Sequence, residues 1–424
     1  MAFRDHLSDA LTINDQVELY LGMTELSNTH NHAPLFVPKT DSDLGHACAM
    51  NICQRSVISK SMGVSGEELI DIIGMSIKNQ QSPVEVSAEF APVLENSIEP
   101  LLKSLPIPQY FSVDAGRYMT SSIVIVEHEG KRNLSFHRML ITGDNSVAIR
   151  IVPRHLSKIV SENRSVGKST KIAIVNGVDP VVLIAAAVSF EYEKDELGVA
   201  SALYKSGYGK DLEMVKLSNG ISVPADAEYA MEAEITVNDV EEGPFVDITG
   251  TVDEIRLQPE VIITKIHHRN NPIFHALLPA GTEHKTLMGM PRAPTIKEEV
   301  SKVTTCNDVH LTDGGSGWLS AVVSITPSAQ TDGMDAIHAA FRGHGSMKKV
   351  TIVDSDIDIT NPREVEWAVL TRSQADRDYI ILSNQKGSSL DPTRYEDGTT
   401  SKLGIDATMP LNSDYSKYQR YFKG

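Results

Sequence analysis

The chain has 424 residues, with 39 Lys and Arg against 56 Asp and Glu for a formal net charge of −17, and is 41% hydrophobic and 22% charged. That apolar content excludes a disordered chain, and an acidic balance with no basic stripe excludes a nucleic-acid binder held through phosphate contacts. At roughly 150 residues per domain the length predicts two or three domains, each able to bury a core without disulfides.

The amino terminus, MAFRDHLSDALTIND, carries charges where a signal peptide needs an apolar stretch. The longest apolar run, Val181 to Val188, is far shorter than the ~20 residues of a membrane span. Cys48, Cys53 and Cys306 form no CxxC pair. Together these features predict a cytoplasmic protein with no membrane segment, in which the cysteines are spectators.

Residues 1–105 read as an α/β domain: mixed small and apolar residues from Phe36 to Ser61, then helix, turn and helix from Leu69 to about Leu102. After Leu105-Pro106-Ile107-Pro108 come SSIVIVEHEG, NLSFHRMLI, the turn Gly143-Asp144-Asn145 and VAIRIVPRHL, whose alternation and β-branching predict antiparallel strands. IAIVNG predicts another strand, and Asp179-Pro180 a cap and first position for the helix VVLIAAAV. EYAMEAEITVNDV and FVDITGTVDEIRLQPEVIITKIHH are long strand candidates, so residues 106–295 read as a β-barrel with helical insertions. In residues 296–424, MDAIHAAF predicts a helix, KKVTIVDSDIDI a strand and Asn361-Pro362 the start of REVEWAVLTR, with Trp367 and Val369 in a core and a loop-rich tail after Ser383.

Three motifs fail on inspection. Val166-Gly167-Lys168-Ser169-Thr170 imitates a phosphate loop, but Glu162 stands where its first glycine belongs. Asp354, Asp356 and Asp358 imitate a calcium loop, but Ile359 and Val365 replace its glycine and glutamate. His267, His268, His275 and His284 lack the spacing that puts two imidazoles on one helical face, and read as a polar loop.

Four short pieces hold together by their order: Asn133-Leu134-Ser135-Phe136-His137-Arg138, Arg154-His155, Asp195-Glu196 and Glu242-Gly243-Pro244-Phe245-Val246-Asp247. With HHRNNPIFHALLPAGTEHKTLMGMPR, GGSGW and VDSDIDITNPREVEWAVLTR, they resemble the UbiD family of decarboxylases from about residue 110 to residue 410. The resemblance implies an α+β chain with a central split β-barrel, like that of flavin reductases, for prenylated FMN. An N-terminal α/β region and a C-terminal α/β oligomerisation domain would flank it.

By that resemblance Asn133, His155 and Glu196 hold Mn²⁺ or Mg²⁺ against the cofactor phosphate, with K⁺ nearby; amide oxygen, neutral imidazole and carboxylate suit such ions. Ser135, Phe136, His137, Arg154, Ala187, Val188, Ser189 and Lys349 line the cofactor. Arg138, Glu242 and Asp247 form the catalytic trio. A guanidinium grips carboxylates through two bonds, and two acids near one cation can be driven to different pKa values, leaving one ionised while the other delivers a proton. Asp247 stands where the cinnamate-type members carry Glu, which shortens its reach.

The family chemistry is cycloaddition of an α,β-unsaturated acid to the cofactor's azomethine ylide, loss of CO₂ and protonation of the carbon. The compact archaeal form, which LLPAGTEHKTLMGMPR resembles, implies trans-anhydromevalonate 5-phosphate as substrate and isopentenyl phosphate as product. Arg269, Lys285 and Arg292 are then candidates for the substrate phosphate. The alternatives are an aromatic or acrylic acid decarboxylase and a non-catalytic flavin carrier. Implied partners are a flavin prenyltransferase that supplies the cofactor and further copies of this chain, as dimer or hexamer.

Overall fold

The computed structural model describes residues 1–188, 195–418 and 421. It divides into two compact units, Met1–Ser65 with Met75–Leu287 and Gly66–Gly74 with Met288–Gly424. The fold is mixed α+β. Among the described residues no helix is long and apolar enough to cross a membrane.

The first unit is organised by a nine-stranded sheet. Its spine is the antiparallel trio Thr170–Asn176, Tyr229–Glu242 and Arg256–His268. β-Branched and small residues fill their inward positions, and Ile172, Ile174, Met231, Ala233, Ile235, Val261 and Ile263 share one core. Each large side chain buried there stabilises the fold by ~1.5–3 kcal/mol. Register shifts between Glu232 and Ala233 and between Ile235 and Asp239 bend the longest strand. The pairing path runs from Tyr118–Met119 through Met139–Ile141 and Ser146–Ile149 to the spine, then through Ile123–His128 to Lys131–Phe136. Its two ends do not pair with each other among the described residues, so the sheet is open and no closed barrel forms.

Three helices flank functional segments of this unit. His155–Ser165 packs Leu156, Ile159 and Val160 into the sheet core. Pro180–Ala187 is buried on every side, and the cap expected at its start is present: Asp179 accepts from Val181 N at 2.9 Å. Glu196–Tyr208 begins the same way, with Asp195 accepting from Leu197 N at 3.0 Å, and stops at Gly209 with φ 66°.

The second unit carries a five-stranded sheet in the order Thr305–Leu311, Ser320–Thr326, Lys349–Asp354, Thr399–Ala407, Tyr379–Lys386. The middle three strands are parallel, as crossover helices require. Those helices, Asp332–Gly343 and Pro362–Arg372, fall where the sequence places them, and Asn361 caps the second by accepting from Arg363 N at 3.0 Å. Val369 joins the core beneath, with Trp367 packed against it.

Besides the expected barrel, three expectations need correction. The segment before Leu102 contains one helix, Gly66–Lys78, and then short strands and 3-10 turns. Pro83, Pro92 and Pro100 deny the second helix its interior N–H donors. The tail is not all loop: Thr399–Ala407 alternates small and apolar residues with polar ones and sits inside the sheet. The histidines are not in a polar loop. His267 and His268 end one strand, His275 ends the strand Ile273–His275, and His284 lies in the helix Thr282–Gly289.

The failed motifs have structural roles. The Gly167 turn closes the helix His155–Ser165 before the strand at Thr170, and Asp354 and Asp356 are both ion-paired to Arg372. Cys48, Cys53 and Cys306 are all buried.

Candidate active site

The strand Lys131–Phe136 ends where His137 and Arg138 interrupt it, and pairing resumes at Met139–Ile141. This break gives Arg138 an independent position at the strand end. Its guanidinium meets Glu242 twice, Nε to Oε1 at 2.9 Å and Nη2 to Oε2 at 3.0 Å. Nη1 donates to Asp247 Oδ2 at 2.8 Å, and Nη2 also donates to Asp253 Oδ2 at 2.7 Å. The Phe245 ring lies 4.5 Å from the guanidinium carbon.

The backbone that presents the two expected acids depends on Gly243. Its φ is +97°, and a Cβ there would lie 2.8 Å from the Glu254 carbonyl oxygen, so only glycine fits. Tyr118 Oη donates to Glu242 Oε1 at 3.2 Å. Glu242 is fully buried, whereas the Asp247 side chain is 28% exposed. Burial works against the Arg138 cation, but the hydrogen bonds and charges of Glu242, Asp247 and Asp253 outweigh it and raise its pKa. Asp253 is likewise pulled below the usual carboxylate range, its burial outweighed by Arg138, Arg256 and Arg150.

Five residues back along the same strand, Asn133 meets two helix starts. His155 and Glu196 are the first residues of their helices, and Asn133 Nδ2 is 3.2 Å from each Glu196 oxygen and 3.5 Å from His155 Nδ1. His155 Nδ1 is 3.9 Å from Glu196 Oε1. Burial pushes the Glu196 carboxyl up to about 7, against the Leu134 N–H and Asn133 bonds that favour its charge. A buried carboxylate held this high gains from a cation beside it, and half a turn of the Asn133 amide would present its oxygen to the same point. The three residues therefore fit a divalent ion.

Between these clusters lies His137. Its Nδ1–H donates to the Arg150 carbonyl at 2.9 Å, so Nε2 accepts from Ser135 Oγ, also at 2.9 Å. Burial lowers the ring to about 4, which keeps it neutral. Phe136 precedes it, half-buried. Ala187 and Val188 close the helix Pro180–Ala187, and Ser189 lies outside the described residues. Arg154 is exposed at the cap position before His155. Lys349 is the exposed first residue of its strand in the second unit.

Sequence reasoning missed three residues. Asp253 is brought onto Arg138 because Phe245–Val246 and Val252–Asp253 pair as a small hairpin. Arg150 and Arg256 accompany it: Arg256 Nη2 donates to Asp253 Oδ1, and Arg150 Nε is 4.0 Å from Oδ2. The recurrence of an acid six residues beyond Asp247, followed by Arg256, was the available signal. By contrast, Arg269 is held by the Asp226 carbonyl at 3.1 Å and lies 3.9 Å from Glu228, and Arg292 stacks 5.1 Å from the Trp318 ring in the second unit. Lys285 is half-buried in the helix Thr282–Gly289. His284 adjoins the trio electrostatically: burial lowers it while Asp247 raises it, and its Nδ1 accepts from Ala280 N at 3.2 Å.

An open sheet that carries a guanidinium clasped by acids just beyond one strand, with Asn133, His155 and Glu196 gathered at that same strand, can be set against known proteins. Residues 84–282 match the family described as the 3-octaprenyl-4-hydroxybenzoate carboxy-lyase Rift-related domain, and residues 285–407 its C-terminal domain. The chain belongs to the UbiD family of carboxy-lyases and is a decarboxylase of that family.

Among its relatives is the anhydromevalonate phosphate decarboxylase of Methanocaldococcus jannaschii, 38% identical over 96% of this chain and 96% of that protein. The enzyme of the same name from Methanosarcina mazei is 40% identical over 87% of this chain and 86% of its own length. The UbiD-class enzyme HmfF from Pelotomaculum thermopropionicum, solved in complex with FMN, superposes with a TM-score of 0.94 at 33% identity, covering 100% of this chain and 97% of that one.

Proposed function

We propose that the protein uses prenylated FMN to decarboxylate trans-anhydromevalonate 5-phosphate, releasing CO₂ and isopentenyl phosphate. The observation that carries the reaction type is Arg138, clasped between the buried Glu242 and the partly exposed Asp247. The substrate rests on five relatives, 34–41% identical, that bear the name anhydromevalonate phosphate decarboxylase.

Prenylated FMN, when bound, supplies the dipole that activates the double bond of the unsaturated acid. Asn133, His155 and Glu196 would hold Mn²⁺ or Mg²⁺ against its phosphate, with K⁺ nearby. Asn133 and Arg138 stand five residues apart in the chain, on either side of Ser135, Phe136 and His137. Ser135, Phe136, His137, Ala187 and Val188 would line the cofactor between them, and neutral His137 adds no charge there.

Arg138 draws in the substrate carboxylate and holds both acids in place. Glu242 is held against that guanidinium by two hydrogen bonds. Asp247 delivers the proton to the carbon that has lost CO₂, and its exposed edge lets water restore the proton. A flavin carrier would have no use for a buried acid paired with a second, more exposed one on a single arginine. Cofactor supply by a flavin prenyltransferase and assembly into a homo-oligomer, dimer or hexamer, belong to the same proposal.

The test is co-expression with a flavin prenyltransferase, followed by the mass and absorption spectrum of the bound flavin. Prenylated FMN, with CO₂ released from an unsaturated acid, supports the reading. Unmodified FMN with no CO₂ from trans-anhydromevalonate 5-phosphate, 4-hydroxybenzoate or cinnamate would favour a carrier.

A further inference from the structure

Arg150 follows the strand Ser146–Ile149, and its backbone is tied to Arg138 and to His137. Its N–H donates to the Arg138 carbonyl at 3.0 Å, and its own carbonyl accepts from His137 Nδ1 at 2.9 Å. The guanidinium is treated differently. Its side chain is 23% exposed, its nearest carboxylate is Asp253 at 4.0 Å, and it makes no hydrogen bond among the described residues. Arg256 opens the strand Arg256–His268 and gives Nη2 to Asp253, while its Nε and Nη1 make no hydrogen bond among the described residues.

Three guanidinium groups, Arg138, Arg150 and Arg256, therefore converge on the single carboxylate Asp253. This happens in a chain whose formal net charge is −17. Burial and the like charges of Arg256 and Arg138 act against the Arg150 cation. A partly buried guanidinium with no acceptor, set beside two others, is costly unless an anion arrives. Asp253 does not hydrogen-bond it: Oδ2 takes Arg138, Oδ1 takes Arg256 and the Glu254 N–H, and Arg150 Nε stays 4.0 Å from Oδ2. The unused donors of Arg150 and Arg256 flank this shared carboxylate and offer a fork to a group with several oxygens.

We propose that Arg150 and Arg256, positioned by Asp253, form a subsite for a second anionic group of the substrate, a phosphate monoester at the end remote from the scissile carboxylate. This rests on the reading of Arg138, Glu242 and Asp247 as the decarboxylation centre. The cofactor phosphate is assigned elsewhere, to Asn133, His155 and Glu196, so the two phosphates do not compete. A phosphate has oxygens enough to accept from both arginines at once.

Two measurements on the flavin-loaded enzyme test this. The first is calorimetric titration with inorganic phosphate, which needs no turnover. Wild type binds, and Arg150→Gln and Arg256→Gln each weaken binding about tenfold or more, as expected for loss of a charge-assisted contact. Equal binding in wild type and both variants overturns the subsite, as does wild type that takes up no phosphate.

The second compares kcat/KM for trans-anhydromevalonate 5-phosphate and for its dephosphorylated form. The preference for the phosphorylated acid falls about tenfold or more in each variant. An unchanged preference, with both acids slowed alike, overturns the proposal and marks the arginines as structural. If no acid of this type is turned over while phosphate binding still depends on Arg150, the substrate assignment fails and the anion subsite stands.

Discussion

Asp253 Oδ2 lies 2.7 Å from Arg138 Nη2, so the guanidinium at the heart of the site faces three carboxylates and not two. Glu242 takes one edge of the guanidinium through two bonds, Asp247 takes Nη1, and Asp253 shares Nη2. In the proposed function the proton-bearing role is given to Asp247, the member of the expected acid pair that reaches solvent.

Replacing Asp247 with Asn keeps the shape and one acceptor for Arg138 but removes the transferable proton. Turnover falls by on the order of 10²-fold or more, the range of a lost general acid, while flavin content is unchanged. Flavin absorbance and CO₂ release on the same preparation check both halves; full activity contradicts the assignment.

Asp253→Asn separates position from charge. Arg138 and Arg256 each lose a charged acceptor, so kcat falls roughly tenfold, the scale of one charge-assisted bond. The local charge becomes more positive, so inorganic phosphate binds no more weakly than to wild type. Single-turnover kinetics and calorimetry read the two effects, and weaker phosphate binding would mean that Asp253 positions more than it repels.

In the proposed metal site, Glu196 would link metal binding to pH. Its carboxyl titrates at about 7 without a cation, because burial favours the neutral form. A divalent ion needs the ionised form, so Mn²⁺ affinity of the stripped protein drops as pH falls through about 7, by about tenfold per unit below it. The same sign makes the stripped fold lose stability from Glu196 as pH rises through that value, which the metal restores. Titrations with Mn²⁺ at pH 5.5 and 8 test this; equal affinities would show that Glu196 is not a ligand.

A stability prediction concerns a different buried acid. Glu283 accepts from Asn51 N and Cys53 N, both at 2.7 Å, and from His275 Nε2 at 2.9 Å. Its burial is outweighed by His275, which lowers its pKa, while burial and the nearby Glu283 charge keep the Cys53 thiol protonated. Glu283→Ala strands two backbone donors and an imidazole, at a cost of about 3–5 kcal/mol. Chemical denaturation of wild type and variant measures this, and a loss below about 1 kcal/mol would contradict it.

What could be read from the chain was local chemistry with fixed spacing. The caps Asp179 and Asn361 each act on the backbone two residues away, and both stand where expected. Asn133, His155 and Glu196 come together from three separate segments, and Arg138 meets Glu242 and Asp247, because their order followed a known family pattern. Asp253 and Arg150 escaped notice because hairpin pairing and a strand break bring them to Arg138, and neither leaves a periodic trace. The strand Thr399–Ala407 was hidden by its Gly and Asp content, which tertiary pairing on both sides overrides. The sheet read as a barrel because alternation reveals strands but not whether the outermost two pair.

The most direct measurement is the product analysis of trans-anhydromevalonate 5-phosphate incubated with the prenylated-FMN-loaded enzyme, beside 4-hydroxybenzoate and cinnamate. The account predicts isopentenyl phosphate and CO₂ in equal amounts, with kcat/KM at least ~100-fold above either aromatic acid, a gap of about 2.8 kcal/mol in transition-state binding. Turnover of an aromatic acid with none of the phosphorylated one would contradict it.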